Sequence, residues 1–179
     1  AAINILQNAS VLRIDSQGVE NNLQEFFGGG NISRMIITGD AVLGIQGDLS
    51  SSFNANRPAV IDASENTGGV DLNILDDLRE VRFLSSEGED DVNFFLGTSP
   101  LGITKITVDG QDGDGHYDLV ANAVYVDLGN GDNVIHTGQL FDDEGEADDR
   151  TMDTAVITVG NGRNTIDAIA FVGGTFAPN

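Results

Sequence analysis

"DLGNGDNVIHTG" (127–138) and "TVGNGRNTIDAI" (158–169) write the same pattern, Gly-Asn-Gly-x-Asn-x-Ile, twice in one chain. In the first, Gly129 and Gly131 permit the positive-φ angles of a tight turn, Asn133 offers a side-chain oxygen inside it, and Ile135 begins the next strand pointing inward. Gly160, Gly162, Asn164 and Ile166 repeat the arrangement. Upstream, "SSEGEDDVN" (85–93) fits the second half of the pattern with Gly88, Asp90 and Val92, and "DGQDGDGHYDLV" (109–120) is a looser copy. Four such junctions in one half of the chain describe a coil of parallel strands with glycine-rich, acidic corners.

The segments between corners agree. "RMIIT" (34–38), "VDLNI" (70–74), "EVRFL" (80–84), "VNFFL" (92–96), "TKITV" (104–108), "AVYVDL" (123–128) and "TAVITV" (154–159) are short and rich in β-branched residues, and several alternate with the period of two of a half-buried strand. One helix is predicted, over 17–27: Ser16 stands as cap, Val19, Leu23, Phe26 and Phe27 share a helical face, and "GGG" (28–30) ends it. The predicted fold is therefore all-β, a short parallel β-roll or β-solenoid with an N-terminal helical cap. An antiparallel β-sandwich is the alternative, since alternating strands and glycine turns suit it too. The expected layout is an N-terminal strand and cap over 1–32, repeats over 33–170 with loop insertions at 50–60 and 141–152, and a tail over 171–179.

Charge narrows the partners. With 29 acidic residues against 8 basic ones, the net charge is −21. Such a chain repels phosphate backbones and anionic lipid, so neither nucleic acid nor membrane insertion is expected. Cations are the natural partners. The absence of cysteine excludes disulfides and thiolate metal sites, leaving oxygen ligands and two histidines. No apolar run approaches the length of a membrane span, and "AAINILQNASVLRIDS" lacks the charged start and long apolar centre of a Sec signal.

These junctions resemble the RTX nonapeptide, G-G-x-G-x-D-x-U-x, of calcium-binding parallel β-rolls. The series "MIITGDAVLGIQGDLSS" (35–51), "VIDASENTGGVDLNI" (60–74), "FLSSEGEDDVNFFLG" (83–97) and "ITVDGQDGDGHYDLV" (106–120) also looks like the strand-repeat region of bacterial RTX-type surface-layer proteins. The resemblance spans roughly 33–170. It implies Ca²⁺ held by the sixth-position Asp and by backbone carbonyls of adjoining turns. Asp90 matches that position, and Asp112 matches it when Gly110 is taken as the fourth-position glycine. Asn133 and Asn164 stand there with neutral amide oxygens, poorer ligands for a hard dication, and the motifs are not in uninterrupted tandem.

Residue chemistry alone divides the candidates. Asn at a solenoid corner commonly bonds the backbone, which makes Asn133 and Asn164 dry turns first and calcium ligands second. Crowding of Glu87, Glu89, Asp90 and Asp91, and of Asp109, Asp112, Asp114 and Asp118, costs repulsion that calcium would relieve. "DDEGEADD" (142–149) reads as a solvated loop. "DGQDGDG" is no EF-hand, for it lacks an acid at the twelfth loop position. Paired carboxylates are too plentiful to signal a glycosidase, His116 and His136 read as solvated side chains in turn motifs, and no H-E-x-x-H or G-x-S-x-G motif occurs. Residues 168–179 carry no charge and are expected to close the stack, dock on a neighbour or, as the resemblance implies, carry a type I secretion signal. The expected function is a non-enzymatic, calcium-stabilised building block that self-associates into a homo-oligomer or lattice, exported by type I secretion to a surface layer or filament. A virion decoration or tail component is the second expectation, and a β-helix enzyme acting on polysaccharide the third.

Overall fold

The computed structural model describes residues 2–4, 9–27, 29–75, 78–96, 104–138 and 154–168. The chain alternates between two sheets. One contains β2 (Val11–Ser16), β5 (Arg34–Gly39), β7 (Ala59–Asn66), β9 (Glu80–Leu84), β11 (Lys105–Asp109), β13 (Ala123–Asp127) and β15 (Thr154–Thr158), in that spatial order. The other contains β3 (Asn21–Leu23), β6 (Leu43–Asp48), β8 (Val70–Leu75), β10 (Asp90–Phe95), β12 (Gly115–Val120), β14 (Asn133–Gly138) and β16 (Thr165–Ala168). A small pair, β1 (Ala2–Asn4) with β4 (Glu25–Phe27), forms a third sheet, with β4 lying against β6. Among the described residues every strand pairing is parallel, which makes this a two-sheet β-solenoid and removes the antiparallel sandwich. All seven strand segments expected from the sequence are strands.

Register explains why the period-two pattern recurs. On one sheet Leu12, Met35, Ile61, Phe83, Val108, Val126 and Ile157 stand next to one another in an inward column. On the other, Leu23, Ile45, Leu72, Val92, Tyr117, Ile135 and Ile166 do the same. Each coil thus gives one large apolar side chain to each column, each interior one contributing about 1.5–3 kcal/mol by burial. Phe83 and Phe94 meet edge to face across the core, ring centroids 5.7 Å apart.

The coils differ in length chiefly at one edge. Turns from the first sheet to the second are the glycine-rich corners. The returning turns absorb the extra residues: Ala121 and Asn122 suffice between β12 and β13, whereas 96–104 separate β10 from β11 and 139–153 separate β14 from β15. The insertion expected at 141–152, with the acidic stretch 142–149, lies outside the described residues, as does the tail 171–179.

Two expectations are corrected. Residues 17–27 form no helical cap: Gly18 takes φ +87, the Asn21 side chain closes a turn on the Gln17 and Val19 carbonyls, and β3 pairs with β6. Val19, placed on the helix's apolar face, is 78% exposed, because strand pairing outweighs a helical spacing of four side chains. The stretch 50–60 does not bulge outward as a whole. Ser50–Ser52 forms a 3-10 turn, Ser52 and Phe53 are buried, Phe53 bridges to Ile32, and β7 begins at Ala59.

Candidate functional site

Aligned by register, the corners form columns running up one edge of the solenoid. Asp90 stands beside Gly115, and Gly115 beside Asn133. The sixth position of the "DGQDGDG" copy is therefore Gly115, which corrects the assignment of Asp112: the aligned fourth-position glycines are Gly88, Gly113, Gly131 and Gly162, and Asp112 falls at the third position. At Gly115 the Tyr117 ring and hydroxyl turn back into the space a Cβ would occupy. Tyr117 is thereby the residue that fills this corner, and burial first, then the nearby Asp90, pushes its phenol pKa up.

The acids here bond to the next coil. Asp112 Oδ1 accepts the Asn130 backbone N–H at 2.8 Å, and Asn130 Oδ1 accepts that of Asn161 at 3.0 Å. In the fifth-position column Asp114 Oδ1 accepts from Asp132 N at 2.7 Å, and Asp132 Oδ1 from Arg163 N at 2.7 Å. The Arg163 backbone N–H and guanidinium hold Asp132 below the usual carboxylate range. At the sixth position the direction reverses: Asp90 Oδ1 accepts Val70 N at 3.1 Å, and Asn164 Oδ1 accepts Asn133 N at 3.3 Å. Asp90, Asp112, Asp114, Asn130, Asp132 and Asn164 thus each satisfy a backbone donor of a neighbouring coil. Asn133 and Asn164 act as backbone-binding turns in this ladder, and Asn133 Oδ1 is itself buried without a partner.

Asp90 differs from its column mates in being ionisable and buried, with 1% of its surface exposed. Ser86 N and Ser86 Oγ donate to it at 2.9 and 2.6 Å. Burial outweighs these bonds and pushes its pKa up to about 6. Glu87 and Glu89, at the third and fifth positions of the same turn, have exposed side chains.

The remaining acids predicted as metal ligands leave the corner. Asp109 lies on β11 and pairs with Arg82 of β9 through Nε at 2.9 Å. Asp91 and Asp118 face outward from the second sheet, where Asp91 stands beside His116 and Asp118 beside His136. His116 and His136 are therefore strand residues rather than turn residues, which corrects their placement. Asp118 Oδ1 lies 2.9 Å from His136 Nδ1 and 3.5 Å from His116 Nε2, and the two rings meet edge to face at 5.3 Å. Among the described residues this is the one group of three or more His, Asp or Glu whose ligand atoms all come within 4.8 Å. The signal was present in the sequence: Asp118 and His136 are 18 residues apart, the same step as Asp112 to Asn130. It becomes readable only when 18 is known to be one coil.

No family model, curated protein or solved structure matches this chain.

Opposite the acidic corner, a groove of about 290 Å³ gathers Arg57, Arg79 and Lys105, three of the eight basic residues. Lys105 is paired there with Glu80 at 3.0 Å. Among the described residues this groove is where basic side chains gather on the edge of the returning turns.

Proposed function

We propose that this chain is a non-enzymatic structural unit that stacks end to end with copies of itself, in an extracellular surface layer or filament. The observation that carries the reading is that both apolar columns continue to both ends of the coil. Leu12 and Ile14 at one end, and Ile157, Val159 and Ile166 at the other, pack on the core yet stay partly exposed. Among the described residues β2 and β3 are paired on one side only, as are β15 and β16. Open strand edges over an apolar cross-section suit addition of another coil, and a head-to-tail contact of unlike ends extends into a filament.

Sedimentation over a hundredfold range of concentration is expected to show mass growing with concentration. Ile157→Glu and Leu12→Glu should each hold the chain as a monomer with its β-sheet circular dichroism intact, and their mixture should form dimers through the one undamaged end of each. A wild-type chain that stays monomeric throughout would sink the reading.

Calcium enters here at assembly, by screening a charge of −21. Chelator-stripped protein is expected to keep its β-sheet circular dichroism, because the corner carboxylates accept backbone N–H groups of adjoining coils directly. Unfolding on stripping, reversed by calcium, would instead argue for RTX-type sites at the corners.

A further inference from the structure

We propose that His116, Asp118 and His136 form a binding site for a first-row divalent transition metal of the zinc class, on the outer face of the second sheet. Register assembles it. His116 and Asp118 are two residues apart on β12 and so share a face, His136 lies directly opposite Asp118 on β14, and His116 is its diagonal neighbour. Both histidines of the chain are thereby in one cluster.

Distances and donor chemistry fit such an ion. With metal–ligand bonds of about 2.0–2.1 Å, two ligand atoms on one tetrahedral ion stand about 3.3 Å apart. The separations from Asp118 Oδ1, 2.9 Å to His136 Nδ1 and 3.5 Å to His116 Nε2, bracket that value. Two imidazoles and one carboxylate are borderline donors that favour zinc, cobalt, nickel or copper over calcium, which takes six to eight oxygens. Asp91 Oδ1 sits 3.5 Å from His116 Nδ1, on the other side of that ring from Asp118. A carboxylate there orients the imidazole and raises its basicity, the usual outer partner of a metal-bound histidine. Asp71 and Asp167, next to Asp91 and His136 in their rows, add negative charge around the site. Three protein ligands leave a coordination position for water or a donor from another molecule.

The test is a titration of zinc-free protein with Zn²⁺, followed by the ¹⁵N resonances of the two imidazoles and by calorimetry. Both rings should shift together and saturate at one equivalent, while excess Ca²⁺ moves neither. His116→Gln, His136→Gln and Asp118→Asn should each weaken that binding step at least about tenfold, and Asp91→Asn by a smaller factor. These side chains are on the outer face, so circular dichroism should be unchanged. If either imidazole of the wild-type chain is unmoved by a tenfold excess of Zn²⁺, or if the substitutions leave the affinity as it was, zinc is held by scattered carboxylates and the site is refuted.

Discussion

Gly131→Ala is expected to destabilise the protein by at least about 3 kcal/mol, read as a lower urea midpoint, because two penalties coincide at that residue. Gly131 has φ +147, and a Cβ on it would collide with the Gly113 carbonyl oxygen of the preceding coil. The neighbour is backbone, already fixed by Gly113 N donating to the Asn130 carbonyl at 2.9 Å, so it has little room to yield. Gly18→Ala is the control. Gly18 also has positive φ, at +87, but nothing lies within 4 Å of its added Cβ, so it should lose only about 1 kcal/mol. Comparable losses at the two positions would show that φ alone, not the close stacking of corners, requires glycine at 131. Because a solenoid coil touches only its neighbours, the damage should be local. Hydrogen exchange is expected to quicken in β13 to β16 while the amides of β7 to β10 keep their protection.

The same stacking explains what could be read from the sequence. A column built from one apolar residue per coil writes itself as period-two alternation, so the seven strands stood out. Corners whose backbones nearly touch need glycine at the fourth position, so "GNGDN" and "GNGRN" stood out as well. What a single sequence leaves open is phase. "DGQDGDG" offers glycine at 110 and at 113, and only the neighbouring coils, which set Gly113 in line with Gly88 and Gly131, decide between them. Taking the wrong one moved Asp112 to a ligand position that Tyr117 fills from the side. The segment 17–27 was misread because Val19, Leu23 and Phe26 keep a helical spacing by accident while Leu23 alone joins the column. His116 and His136 were passed over for a related reason. They are 20 residues apart in the chain and become neighbours only through an 18-residue coil plus a diagonal step of two.

Asp90→Asn is expected to stabilise the chain at pH 7, against the usual loss when a buried ionisable residue is replaced. The carboxyl is raised to about 6 from 3.8, so the native state binds its proton more tightly than the unfolded state. The sign follows: this group's stabilisation is complete below pH 3.8 and is lost as the pH climbs through 6. Two pH units correspond to about 3 kcal/mol between those limits. An amide at 90 keeps an acceptor for Val70 N, and its NH₂ has a precedent in Asn133, which donates to the carbonyl two residues earlier at 3.2 Å. It gives up the second oxygen that takes the buried Ser86 N, a loss of about 1–3 kcal/mol. The variant should therefore be up to about 2 kcal/mol more stable than wild type at pH 7, with the advantage gone or reversed at pH 4. Urea unfolding of both proteins across that range in the presence of chelator measures it, and the comparison cancels the pH response of the other acids. Repeating the pH 7 pair in millimolar calcium separates a backbone-binding Asp90 from an ion-binding one. If the carboxylate holds only amides and a hydroxyl, calcium leaves the advantage of Asn in place. If it holds an ion, calcium must reverse the order, because the ion would keep the carboxylate ionised and Asn would remove its charged ligand.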